Sequence, residues 1–138
     1  MPIVLDCSAV IAMCFEDEDD AYAERLFEFF VDSSAIAPSI WPLEVCNSLL
    51  TAVRRNRLVK AEANHFFRLI ASLPVEIVAS ESSLERYGTL FELAAEYDLS
   101  SYDAAYLLPA MERGLPLATL DRRLKGAAAA SGVRVFGS

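Results

Sequence analysis

The chain has 138 residues, which is close to the commonest size of a single domain and too short for two separate hydrophobic cores. Although 54% of the residues are hydrophobic, no apolar stretch approaches the roughly 20 residues of a membrane-spanning helix, so we expect one soluble domain over residues 1–138. The net charge of −8 excludes a protein that coats nucleic acid by bulk electrostatics, because neutralising phosphates requires clustered Lys and Arg.

Three cysteines, Cys7, Cys14 and Cys46, show no CxxC spacing and cannot all be paired within the chain. They are more typical of small buried apolar side chains than of a metal or redox site. A reducing compartment suits them, and the opening residues lack the basic segment of a signal peptide, so we expect a cytoplasmic protein with no membrane contact.

The first half of the chain alternates short apolar runs with helical periodicity. The β-branched run from Ile3 to Leu5 predicts a buried strand that ends at Asp6. Residues 8–15 predict a short helix, and an acidic run from Glu16 to Asp20 leads into a second helix over residues 21–31. Residues 35–37 predict the second strand, and residues 41–57 a long amphipathic helix.

The second half repeats this alternation. Helices are predicted over residues 60–72, 84–97, 103–113 and 121–130, with strands over 75–78, 117–119 and 133–136. Pro74, Gly114 and Gly132 mark element boundaries. Strands and helices that alternate in this way predict an α/β/α sandwich built on a short, mostly parallel, five-stranded sheet.

Four acids fall where this topology predicts a common edge. Asp6 follows the first strand and Asp121 follows the fourth, so parallel strands bring both to the carboxyl ends of the sheet. Glu44 and Asp103 lie in the first turns of two helices, from which both can reach that edge. Ligands of open α/β sheets bind at this edge, so the four acids are candidate site residues.

Mutual repulsion makes such a cluster unfavourable, since two like charges about 5 Å apart repel by roughly 3 kcal/mol at an effective dielectric constant near 20. Mg²⁺ or Mn²⁺ offsets the repulsion and prefers hard oxygen ligands of this kind. Such an ion lowers the pKa of a bound water and stabilises charge on a phosphodiester during hydrolysis. We therefore predict that Asp6, Asp103 and Asp121 hold the ion and that Glu44 is a further ligand or a base.

Each acid also has an ordinary structural interpretation. Asp103 follows Ser100 by three residues, as in a capping box, and Asp121 is placed to be the N-cap of the last helix. Single caps are commoner than catalytic acids, but four acids on one predicted edge favour a site. Beside Asp121, the bases Arg122, Arg123 and Lys125 are predicted to contact phosphate.

The segments IVLDCS, WPLEVCNSLL, SSYDAAYLL and LATLDRRL occur in this order over nearly the whole chain. Together they resemble the four motifs of the PIN-domain family, most closely its VapC ribonuclease toxins. The resemblance matches the family's acids to the four named above. It also implies that Ser8, Asn47 and Thr119 orient these acids.

The resemblance further implies a Mg²⁺- or Mn²⁺-dependent endoribonuclease, a separately encoded antitoxin protein and a homodimer. Some relatives carry a further acid where this chain has Arg122 and Arg123, which favours one tightly held ion. Five phenylalanines on two helices exceed what one core needs and agree with a covered surface: Phe27, Phe29, Phe30, Phe66 and Phe67. The alternative is a catalytically silent PIN-fold module that binds RNA or protein.

Overall fold

A computed structural model describes residues 1–15, 20–79 and 83–137, with only the backbone of Asp20. Glu16 to Asp19, most of the acidic run, lie outside this range. The four strands are β1 (Ile3–Leu5), β2 (Ala35–Pro38), β3 (Val75–Val78) and β4 (Leu117–Ala118). The helices are α1 (Cys7–Ile11), α2 (Asp20–Asp32), α3 (Trp41–Arg54), α4 (Lys60–Ala71), α5 (Gly88–Tyr97), α6 (Ser101–Arg113) and α7 (Arg122–Ala130), with 3-10 turns at Ala12–Cys14 and Leu84–Tyr87.

The four strands form one parallel sheet in the order β3-β2-β1-β4, flanked by helices, which confirms the predicted α/β class. β1 lies between β2 and β4, with Val4 opposite both Ile36 and Leu117. Every residue of β1 is buried, as its β-branched apolar sequence predicts for an inner strand. The carboxyl ends of β1 and β4 therefore lie side by side.

The predicted fifth strand over residues 133–136 is wrong. This segment makes a single parallel bridge to β4, between Leu117 and Val135. Gly132 and Gly137 both have positive φ values, of 80° and 82°, and turn the chain on either side of the bridge. The sheet formed by the described residues has four strands.

The core lies where the helices pack on the sheet. Tyr106 and Leu107 of α6 are fully buried, and α6 contacts β1, β2 and β4. On α3 the buried side chains include Val45 and Leu49, four residues apart. Cys46 follows Val45 by about 100° around the helix and is exposed, so the prediction that all three cysteines are buried is wrong for this one.

Within the described parts of the chain, none of the helices combines the length and the apolar character that crossing a bilayer requires.

Candidate active site

All four predicted acids line a single cleft at the carboxyl edge of the sheet, with a volume of about 670 Å³. Asp6 comes from the end of β1, Glu44 from the first turn of α3, Asp103 from the first turn of α6, and Asp121 from the segment after β4. Four segments that are far apart in the sequence thus place a carboxylate in one place, as the parallel topology predicts.

Two hydroxyl groups hold Asp6, which is only 6% exposed. Ser8 Oγ and Thr119 Oγ1 each donate a hydrogen bond of 2.7 Å to Asp6 Oδ2. The two hydroxyls accept in turn from backbone amides of the segment after β4, Leu120 N at 2.9 Å and Asp121 N at 3.1 Å. This network joins the ends of β1 and β4 and fixes one Asp6 oxygen, while the role of Ser8 and Thr119 in orienting Asp6 toward an ion stays a prediction.

Glu44 is held by a residue that the sequence did not single out. The hydroxyl of Tyr106, a fully buried residue of α6, donates a short hydrogen bond to Glu44 Oε1 on α3. A buried tyrosine needs a partner for its hydroxyl, and here the partner is a cleft acid. Tyr106 follows Asp103 by three residues, a spacing that puts both on one side of α6 and was the available signal.

The capping interpretations of Asp103 and Asp121 have different outcomes. Ser100 Oγ accepts from the backbone amide of Asp103 at 3.0 Å, a bond that any residue type at position 103 except proline can make. Asp121, in contrast, caps α7 with its own side chain, since Oδ1 accepts from Leu124 N at 2.9 Å. Asp121 therefore lines the cleft and caps a helix at the same time.

Burial and mutual repulsion disfavour charge on three of the acids. Burial raises the pKa of Asp6 above its ordinary value, and the hydrogen bonds from Thr119 and Ser8 oppose that rise. Burial also raises the pKa of Glu44, against the hydrogen bond from Tyr106 and with added repulsion from Asp6. Burial and then repulsion by Asp121, Asp6 and Glu44 raise the pKa of Asp103. The acids are close enough to oppose one another's ionisation.

Cys7 also lines the cleft, between Asp6 and Ser8 in the sequence. Burial raises the pKa of its thiol to about 11, and its Sγ lies 3.4 Å from Ser48 Oγ. At neutral pH the thiol is therefore protonated, and a nucleophilic thiolate is disfavoured. The groups of the cleft that remain available for catalysis are therefore its oxygen atoms.

The carboxylate oxygens of the cleft are the type of ligand that a hard divalent ion prefers, and no histidine lies with them in the described part of the cleft. They do not form a ready-made ligand set: among the described residues, no three acid, histidine or cysteine side chains are grouped closely enough to hold an ion. Two of the acids use one oxygen elsewhere, Glu44 with Tyr106 and Asp121 with Leu124. Each of these two acids keeps a second oxygen that could bind an ion, and the charge of the ion would offset the repulsion among the acids.

The remaining predicted residues lie at or beyond the rim. Asn47 lines the cleft from α3 and is exposed. Arg122 and Arg123 are exposed in the first turn of α7, with Lys125 half-buried behind them, and none of the three lines the cleft. Their contact with RNA stays a prediction, as does the orienting role of Asn47.

A family model described as "PIN domain" matches residues 3–130 of the sequence. The chain belongs to the PIN domain family. This PIN domain is 30% identical to Ribonuclease VapC3 of Pyrobaculum aerophilum over 124 residues, which cover 90% of this chain and 92% of the relative. The resemblance to VapC-type ribonucleases that the four motifs suggested is thereby confirmed.

Solved structures share the fold. PAE2754 from Pyrobaculum aerophilum matches with a TM-score of 0.69 and 22% identity, over 92% of this PIN domain and 86% of that chain. VapBC2 from Rickettsia felis, solved with a DNA fragment from its promoter, matches with a TM-score of 0.65 and 16% identity, over 98% and 97% of the two chains. At these identities the likeness concerns the fold alone.

Proposed function

We propose that this PIN domain is a Mg²⁺- or Mn²⁺-dependent endoribonuclease and acts as the toxin of a toxin–antitoxin pair. The observation that carries the proposal is the convergence of Asp6, Glu44, Asp103 and Asp121, from four distant segments, on one cleft. Placing four acids beside one another, with Asp6 buried, destabilises a fold, so an arrangement of this kind is typical of a site and not of a scaffold. The 30% identity to Ribonuclease VapC3 supports RNA as the substrate.

In this proposal Asp6, Asp103 and Asp121 hold the ion, and Ser8 and Thr119 keep Asp6 in position for it. When bound, the ion would lower the pKa of a water molecule and stabilise the charge that develops on the cleaved phosphodiester. Glu44 Oε1 is engaged by Tyr106, so the proton of the attacking water would pass to Glu44 Oε2. The raised pKa of Glu44 brings this carboxylate closer to the range that suits a general base.

The partners follow from the same family resemblance. A cognate antitoxin protein would bind the toxin in the cytoplasm and block its cleft. Two toxin chains would form a homodimer. Phe27 and Phe67 are about two-fifths exposed on α2 and α4, whereas Phe29, Phe30 and Phe66 pack partly against the core. Two aromatic side chains therefore remain for a partner chain to cover.

The proposed activity is tested with circular single-stranded RNA of randomised sequence, which an exonuclease cannot attack. Purified protein is expected to convert circles into linear molecules when Mg²⁺ or Mn²⁺ is present. Electrophoresis of the products, followed by sequencing across the new ends, measures both the cut and its sequence preference. Cellular RNA is assayed in parallel as a source of structured substrates.

Intact circles and intact cellular RNA with both ions would contradict the proposed activity. If the same protein nevertheless bound RNA in a filter assay, the fold would serve as a catalytically silent binding module. Asp6→Asn in the same preparation controls for contaminating ribonuclease, because activity that survives this change does not arise in the cleft.

Replacing Tyr106 with Phe is expected to lower kcat about 10- to 100-fold, the usual loss when a residue that orients a reactive group is removed. The ring keeps its place in the core, so the fold is retained, but Glu44 Oε1 loses its donor. Single-turnover cleavage measures the effect. Tyr22→Phe is the matched control, since Tyr22 is a buried tyrosine whose ring packs against Phe136 and does not line the cleft. Equal rates for the two variants would show that Tyr106 does not position Glu44.

A further inference from the structure

The cleft is also lined by side chains that binding of a metal ion does not require. Four apolar or aromatic side chains line the same space as the acids: Ile11, Ile40, Leu43 and Tyr102. A volume of about 670 Å³ falls in the range of clefts that enclose a small organic molecule. The space is therefore large enough for more than an ion and a phosphate group.

Two of these side chains are held out in solvent. Leu43 is 65% exposed and Tyr102 is 60% exposed, although each is large and apolar. Each directly precedes a cleft acid, Leu43 before Glu44 and Tyr102 before Asp103, in the first turns of α3 and α6. Their place beside the reacting groups is thus fixed by two helix starts, and exposed apolar groups at such a place indicate a ligand contact.

The charge of the cleft limits which part of an RNA the two exposed side chains can bind. Of the described residues that line the cleft, none is Lys or Arg, whereas four are acids. The cleft itself therefore repels an RNA backbone except where a divalent ion binds a phosphate. The cations of α7 that are predicted to contact phosphate lie outside the cleft. Within it, the flat apolar face of a base is the part of a nucleotide that suits Tyr102 and Leu43.

We infer that Tyr102, with Leu43, forms a subsite that stacks on one unpaired base next to the scissile phosphate. The inference rests on the proposed ribonuclease function and adds to it the two side chains that would contact a base beside the cut. A base within a duplex stays stacked between its neighbours and cannot reach the tyrosine ring, whereas a base in a loop can be splayed out. Stacking accepts every base, so the subsite selects unpaired structure more than sequence.

The test combines a protein change with a substrate change in a double-mutant cycle. Tyr102→Ala is expected to lower kcat/KM about 10-fold or more on a cleaved single-stranded RNA, and Tyr102→Phe to restore most of it, since the ring is retained. The RNA is then made with an abasic nucleotide at each position flanking the cut in turn. At one of these positions the unchanged protein and Tyr102→Ala are expected to cleave at rates within about twofold, because the base that the ring contacts is gone.

Phe91→Ala is the matched control, because Phe91 is an aromatic side chain of α5, 68% exposed, that does not line this cleft. It should cleave like the unchanged protein on every substrate. A complementary strand annealed across the cut should block cleavage, and equal rates on duplex and single strand would overturn stacking on an unpaired base.

Two results separate the subsite from the activity. If the unchanged protein cleaves RNA but Tyr102→Ala loses the same factor with every abasic substrate, the subsite inference fails and the proposed function stands. Full activity of Tyr102→Ala likewise overturns the subsite. Absence of cleavage by the unchanged protein overturns the proposed function and the inference with it.

Discussion

Asp103→Asn is expected to abolish RNA cleavage and to leave the protein at least as stable as before in metal-free buffer. Burial and repulsion by Asp121, Asp6 and Glu44 raise the pKa of Asp103 above its ordinary value of 3.8. The ionised side chain is therefore unfavourable in the folded state, and stability is lost as the pH rises from 3.8 through the raised pKa. Asparagine removes that charge and keeps the shape, and the amide at position 103 still donates to Ser100.

The loss of activity should be at least about 100-fold, because a proposed ligand of the ion is lost and not merely a residue that orients one. Thermal unfolding in chelator at several pH values measures stability, and single-turnover cleavage measures activity. The two Tm curves should meet at low pH and separate toward neutral pH, with the variant higher. Asp98→Asn is the matched control: it removes one exposed charge at a left-handed position that Asn tolerates, away from the cleft. A variant less stable than the unchanged protein would assign Asp103 to capping α6.

Removing divalent ions is expected to stop cleavage and to lower the Tm of the unchanged protein. An ion that binds only the folded state at 100 times its Kd stabilises by about 2.7 kcal/mol, which for a domain of this size raises Tm by roughly 10 °C. The physical reason is the repulsion among the four acids, which the ion offsets. Differential scanning fluorimetry with chelator, Mg²⁺ or Mn²⁺ measures the shift.

The same shift should be strongly reduced in Asp6→Asn and Asp103→Asn and unchanged in Asp98→Asn. This comparison shows where the ion binds without reference to catalysis. A shift of equal size in all four proteins would place the ion outside the cleft, and cleavage that persists in chelator would contradict metal-dependent hydrolysis.

The fold and the four acids were predictable because both depend on topology. Parallel strands bring their carboxyl ends to one edge, so Asp6 and Asp121 were expected to be neighbours once β1 and β4 were recognised as apolar strands of one parallel sheet. The first-turn positions of Glu44 and Asp103 followed from helical periodicity. These inferences need only the order of the strands and helices along the chain and the spacing of apolar residues within each of them.

What the sequence did not predict depends on details of packing and backbone geometry. The hydrogen bond from Tyr106 to Glu44 joins α6 to α3 across a sequence distance of 62 residues, and no local sequence pattern shows such a contact. The fifth strand failed because two glycines with positive φ enclose residues 133–136, and apolar composition alone does not show how far pairing extends. The exposure of Cys46 followed from its phase on α3, set by Val45 and Leu49.

The double engagement of Asp121 has an evolutionary consequence. Its Oδ1 caps α7 whether or not RNA is cleaved, so stability alone favours keeping an aspartate or asparagine at this position. Asp103 has the opposite balance, because burial and repulsion by the other acids outweigh its hydrogen bond with Ser100 and disfavour the ionised side chain in the folded state. A descendant that is no longer under selection for RNA cleavage would therefore replace Asp103 early and Asp121 late. In a set of related sequences, the loss of Asp103 would mark the point at which the activity disappeared.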